Sequence, residues 1–147
     1  MTLREVQAQG TARLAEAGIA DSAFEAACLL ECATGFTRGQ CLCRAAEHMP
    51  QTEETQFFAM VARRTSGEPL QYILGKWPFY GRDFFVGKGV LIPRPETEEL
   101  VEKAIAVLKN KPRSTVFDLC AGSGCIGLTI AKEVPACDVY LLSLIHI

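Results

Sequence analysis

The residues best suited to chemistry lie in one run, Asp118-Leu119-Cys120-Ala121-Gly122-Ser123-Gly124-Cys125-Ile126-Gly127. Glycines at 122 and 124 let a backbone approach a ligand where side chains would clash, and a helix opening just after them offers unpaired amide donors. Such a loop suits a nucleotide-like ligand. Gly122, Gly124 and Gly127 also satisfy the G-x-G-x-x-G spacing of dinucleotide sites, a short pattern of low specificity. Glycines placed only for tight strand-to-helix packing would read the same way. Asp118 bears on the choice of ligand. A carboxylate at the end of a strand repels a pyrophosphate but attracts the ammonium of a methionine moiety and tolerates a sulfonium. That favours S-adenosylmethionine over NAD. Taken alone, an aspartate here equally suits a loop cap that binds backbone amides.

The elements that must hold this run follow from pattern. Thr115 to Leu119 is a short apolar strand, a helix is expected from about Cys125 to Glu133, and a second apolar strand near Cys137 to Leu142. Strand, helix, strand implies a parallel pair. Upstream, Val90-Leu91-Ile92 suggests a strand. Pro93-Arg94-Pro95-Glu96-Thr97 then opens a helix with Leu100, Val101, Ala104, Ile105 and Leu108 inside, ended by Asn110 to Pro112. At Ser66 to Pro69 the period changes from about 3.6 to 2, so Gln71 to Leu74 and Trp77 to Tyr80 read as strands. Gly81-Arg82 suits a type II′ loop leading into Asp83 to Val86. A hairpin alone is marginal in water, so this one is expected to pack on something and to link two domains.

The first 66 residues read as four short helices. Leu3, Val6, Gly10, Leu14 and Ala17 form one stripe, stopped at Gly18. Ser22 with Glu25 suggests a capping box opening the next helix, whose inner residues are Phe24, Ala27, Cys28 and Leu30, with a stop at Gly35. Thr37 with Gln40 repeats the device. A fourth helix after Pro50, capped by Thr52, places Phe57, Phe58 and Val61 inside, with Arg63 and Arg64 near its C-terminal dipole. The whole is a small bundle.

Composition limits the function classes. With 49% apolar and 22% charged residues the chain can bury a core, and a net charge of −2 supplies no cationic field for nucleic acid or an anionic membrane. No apolar run approaches the roughly 18 residues of a membrane span, and no signal peptide pattern opens the chain, so a cytoplasmic location is expected. The seven cysteines are odd in number, which argues against a disulfide framework. Cys28 and Cys32 fall within a helical pattern and Cys41-Leu42-Cys43 lacks knuckle spacing, so reduced, buried thiols are expected rather than a metal site.

Four separated blocks carry a more specific signal: Gly67-Glu68-Pro69-Leu70-Gln71-Tyr72-Ile73-Leu74-Gly75, then Phe79-Tyr80-Gly81, then Val90 through Glu98, then Asp118 through Ile126. In order and spacing they resemble the peptide chain release factor glutamine methyltransferase family, over essentially residues 1 to 140. The block ending Pro-Arg-Pro-Glu-Thr-Glu is far more specific than any glycine loop. The resemblance implies three parts. They are a helical bundle that binds the release factor (1–68), a β-hairpin linker (69–92), and the start of a Rossmann-like α/β methyltransferase domain (93–147). It implies methyl transfer from S-adenosylmethionine to the glutamine side-chain nitrogen of a Gly-Gly-Gln motif. Carried over by residue, Cys120, Ala121, Gly122, Ser123 and Gly124 would form the cofactor loop above Asp118, with Pro93, Arg94, Pro95 and Thr97 lining the same pocket. Cys120 stands where the general pattern often has glycine.

The departures from that pattern matter as much. An acidic residue is expected at the end of the strand after the glycine loop, to bind the ribose hydroxyls, yet Leu142-Ser143-Leu144 stands there. The family's Asn-Pro-Pro-Tyr loop, which would hold the glutamine amide, does not occur in the 147 residues. No catalytic residue can therefore be named, and negligible activity is expected of this chain by itself. The apolar run 142–147 suggests non-native sequence, and a half-built sheet would leave strand edges and one apolar face uncovered.

Overall fold

A computed structural model describes residues 1–111 and 113–143. Pro112, placed at the end of a helix by the sequence, and residues 144–147, suspected of being non-native, lie outside the described residues. The chain divides into two compact units, Met1–Leu74 and Gly75 onward.

The first unit is helical: α1 (Leu3–Glu16), α2 (Ser22–Thr34), α3 (Arg38–Cys43), α4 (Gln51–Thr65) and α5 (Leu70–Leu74). Val6, Leu14, Leu29, Leu30, Phe57 and Val61 are almost wholly removed from water and form its centre. Helix α1 buries Leu3, Val6, Gly10 and Leu14, as its stripe predicts, while Ala17 is an exposed C-cap. The first of these helices carries a capping box of Thr2 and Glu5, and α3 carries the predicted one of Thr37 and Gln40.

Four local expectations fail. Ser22 and Glu25 form no capping box, because Glu25 reaches instead to Arg64, whose Nε and Nη2 donate to its carboxylate at 2.6 and 3.1 Å. An ion pair to a distant helix wins over a local cap. The inner face of α2 is Ala26, Leu29, Leu30 and Ala33, so the stripe is rotated and Phe24 stands half exposed. Helix α4 starts at Gln51 after Pro50 with no side-chain cap from Thr52. A further helix, α5, replaces the strand expected at Gln71 to Leu74. Pro69 starts it, its carbonyl accepting from the amides of Tyr72 and Ile73 at 3.0 and 3.2 Å, and Leu70 and Ile73 are buried one turn apart. Local β-propensity was overridden by that apolar pair.

The second unit begins with a hairpin, β1 (Lys76–Phe79) and β2 (Arg82–Phe85), in antiparallel register Phe79 to Arg82. That register makes Tyr80 and Gly81 the turn, not Gly81 and Arg82. Their φ values of 49° and 71° both lie in the left-handed region, which is a type I′ turn rather than type II′. Residues 90–92 form no strand: the Val90 amide closes a turn onto the Gly87 carbonyl at 2.9 Å, and Leu91 is exposed. After α6 (Glu96–Leu108) come β3 (Thr115–Leu119), α7 (Cys125–Glu133) and β4 (Asp138–Leu142). Strands β3 and β4 pair in parallel, Thr115 against Asp138 through Leu119 against Leu142, as the strand, helix, strand pattern predicts. Phe79, Phe84, Val101, Ile105, Cys125, Ile130 and Val134 make one core, so the hairpin packs on α6 and α7. Leu100, expected inside, is exposed.

No described helix is long and apolar enough to cross a membrane. All seven cysteines are free, but only Cys41 and Cys125 are buried, while Cys32, Cys43 and Cys120 are exposed. The expectation of buried thiols thus fails for most of them, since Cys28 and Cys137 are only partly covered as well.

Candidate cofactor cleft

At the C-terminal end of β3 the chain turns sharply through Cys120, Gly122 and Gly124, with φ of 62°, 56° and 76°. Gly124 is the N-cap of α7 and has no side chain to satisfy the first helical amides. Asp118 supplies what the glycine lacks. Its buried Oδ2 accepts from the Gly127 amide at 2.9 Å, the bond that an N-cap side chain ordinarily makes to the third helical residue. A carboxylate thus sits against the positive end of the helix. A Cβ built on Gly127 would lie 2.9 Å from that Oδ2 and 3.2 Å from Leu141, so Gly127 is fixed by close helix-to-strand packing. One on Gly124 would lie 3.0 Å from Leu141 and 3.1 Å from Leu128. Both glycines bring α7 down onto the sheet.

Gly122 is different. Around it a Cβ would meet only the Cys120 carbonyl, at 3.9 Å, so its backbone faces open space. That space is a cleft of about 420 Å³ lined by Ala121, Gly122, Ser123 and Gly124 together with Phe85, Val90, Leu128, Leu141 and Ser143. The glycine loop and two serines, Ser123 and Ser143, line one part of it, apolar side chains the rest.

The predicted site residues divide accordingly. Ala121, Gly122, Ser123 and Gly124 are brought together. Asp118 lies beneath the loop, with one oxygen committed to Gly127. Cys120 shapes the turn and is exposed, but is not among the residues lining the cleft. Pro93, Arg94, Pro95 and Thr97 do not line it either. Pro93 is buried, and the Thr97 amide donates to the Arg94 carbonyl at 3.0 Å, so this block acts here as a rigid helix start. Its neighbour Glu98 has a structural duty that pattern reading missed: Oε1 accepts from the Tyr80 amide at 2.8 Å and pins the hairpin turn to α6. Arg82 ties the same turn to α7 through Glu133 at 2.6 Å. Phe85 was missed too, although strand alternation against buried Phe84 could have placed it on the outer face.

Cys125, at the first position of α7, has its thiol pushed up from the ordinary value, chiefly by burial. It is a packing residue rather than a nucleophile.

Comparison with known proteins agrees with the blocks read from sequence. Residues 5–75 match the family described as PrmC N-terminal domain. A release factor glutamine methyltransferase of Neisseria gonorrhoeae is 47% identical over 112 residues, covering 76% of this chain and 40% of that protein. Those of Moorella thermoacetica and Bifidobacterium longum are 37% and 39% identical, over 95% and 98% of this chain and 50% and 51% of their own lengths. The chain therefore spans about half the length of these relatives or less. By these matches and the spaced motifs, the chain belongs to the release factor glutamine methyltransferase family and carries its N-terminal domain.

Proposed function

We propose that the whole protein methylates the glutamine side-chain amide of the Gly-Gly-Gln motif in peptide chain release factors, using S-adenosylmethionine. In this reading the helical unit docks the release factor, and the strand, loop and helix from Asp118 to Gly127 open a Rossmann-like cofactor site. The observation that carries the cofactor reading is the Asp118 carboxylate at the α7 N-terminus beneath an open glycine loop. A helix end already neutralised by a carboxylate gives a pyrophosphate little and gives a cationic methionine moiety more. Ala121 to Gly124 would hold that moiety by backbone groups, and Phe85, Val90, Leu128 and Leu141 would cover its apolar parts. S-adenosylmethionine supplies the activated methyl group. The remaining chemistry, holding the amide by its hydrogens and aiming its nitrogen, belongs to an Asn-Pro-Pro-Tyr loop that these residues do not include. By themselves they should give no turnover.

Equilibrium dialysis with labelled S-adenosylmethionine and with NAD tests the cofactor. Retention of the first and not the second is expected; retention of NAD, or of neither, overturns it. Mass spectrometry of a release factor incubated with the whole protein should show one added methyl group on the glutamine. A second reading is favoured by the helical unit's having a core of its own: these residues act as a release-factor-binding module without chemistry. Release-factor binding by residues 1–74 with no cofactor retention by the chain would support it.

A further inference from the structure

Two separate pieces of the second unit line the cleft. One is the glycine loop with Leu128 of α7; the other is the exit of the hairpin, Phe85 at the end of β2 and Val90 beyond it. Phe85 is 87% exposed, so its place is not fixed by burial of its own ring and depends on how β2 is seated. Buried Phe84 and Val86 seat the strand at its cleft end. At its other end the turn is tied twice. Glu98 Oε1 of α6 accepts from the Tyr80 amide at 2.8 Å. Arg82 donates through Nη1 to the Tyr80 carbonyl at 3.3 Å and through Nη2 to Glu133 of α7 at 2.6 Å. Both the amide and the carbonyl of Tyr80 are thus held, at a φ of 49° that a tyrosine keeps only when its surroundings over-determine it.

We infer that Glu98, Arg82 and Glu133 are positioning residues for the cofactor: they latch the hairpin to α6 and α7, so that Phe85 and Val90 stand at the cleft before a ligand arrives. The inference rests on the S-adenosylmethionine reading of that cleft. Helix α7 makes the latch effective. From its cap Gly124 at the cleft to Glu133 at the latch it runs about 14 Å, at about 1.5 Å per residue. One helix therefore carries both the end of the glycine loop and an anchor of the hairpin wall. An unlatched hairpin holds its wall in place only part of the time, and the apparent affinity falls by that fraction.

Equilibrium dialysis of labelled S-adenosylmethionine against this chain reads the latch. Arg82→Met and Glu98→Met should each weaken retention about fivefold, and Glu98→Gln, which keeps an acceptor for the Tyr80 amide, should recover it. The Lys76–Asp83 pair, at 2.6 Å, joins the two strands of the same hairpin. Asp83→Asn removes that pair without touching the latch and should leave retention unchanged. Phe85→Ala, at an exposed position, completes a double-mutant cycle. Residues 82 and 85 lie about 10 Å apart along the strand, a separation at which independent substitutions add. In the Phe85→Ala background Arg82→Met should cost less than about twofold, because the ring that it positions is gone. Equal costs in both backgrounds, or a loss with Asp83→Asn as large as that with Arg82→Met, overturn the inference and leave the cofactor reading in place. No retention by the wild-type chain overturns that reading, and the inference with it. Circular dichroism checks folding; if Arg82→Met does not fold, Arg82→Lys, with a point charge in place of the guanidinium fork, carries the same cycle.

Discussion

Cys120 is the residue at which the glycine loop departs from pattern, and its backbone shows the cost. With φ of 62° a side chain meets the following carbonyl, a penalty of about 1–2 kcal/mol, whereas glycine adopts that region freely. Cys120→Gly should therefore stabilise the second unit by about 0.5–1 kcal/mol after the greater freedom of glycine in the unfolded chain is subtracted. Urea unfolding followed by Trp77 fluorescence reads this directly, and Cys120→Ala serves as a control without the gain. A midpoint for Cys120→Gly at or below wild type would contradict the strain argument. Sequence alone identified the oddity at 120 without its reason, since a dihedral angle is set by the turn and not by composition. It placed Asp118 correctly at the strand end, and its carboxylate took the cap role that had been the competing reading. Phe85 and Glu98 were illegible as site and clamp because their importance arises from the fold bringing distant segments together.

At the scale of elements, the segments legible in sequence were those whose signals are local. Strand β3 and helix α7 lie at the expected residues, and α3 has its expected capping box, because an apolar strand, a glycine loop and a Thr-x-x-Gln pattern act over a few residues. Helix α5 and the rotated face of α2 depended on what packs against them. The contact between α1 and α4 shows how tight such packing is. A Cβ on Gly10 would overlap the ring of Phe57, which is fully buried. Gly10→Ala gains roughly 1 kcal/mol of helix propensity but forces that ring aside, so a net loss of about 1–2 kcal/mol is expected in thermal unfolding. The link from α4 to α5 adds a pH dependence. Arg63 donates to both Glu68 oxygens, at 2.7 and 2.6 Å, and holds that carboxyl below its ordinary value. A carboxyl lowered in the folded state adds stability above its unfolded value, and that stability disappears as pH falls through the lowered one. Glu68→Gln should be less stable than wild type at neutral pH, and the difference should vanish in acid. A difference independent of pH would assign the effect to something other than the ion pair.

On the scale of the whole molecule, each unit has a separate core, and the two are unequally finished. Leu14, Leu29, Leu30, Phe57 and Val61 are nearly inaccessible in the first unit, whereas in the second Phe117, Leu119, Tyr140 and Leu142, on the face of the sheet away from α7, are each more than half exposed among the described residues. Apolar area left in water contributes nothing to stability, at about 25 cal/mol per Å² forgone, so the second unit should unfold first. The chain carries suitable reporters for both. Its single tryptophan, Trp77, lies in β1 of the second unit, while helices α1 to α5 of the first provide much of the far-ultraviolet signal. Urea titration should give a fluorescence midpoint below the main circular dichroism midpoint, and residues 1–74 alone should retain the later transition. Coincident midpoints would mean that the units unfold as one, against the two-state treatment of each separately.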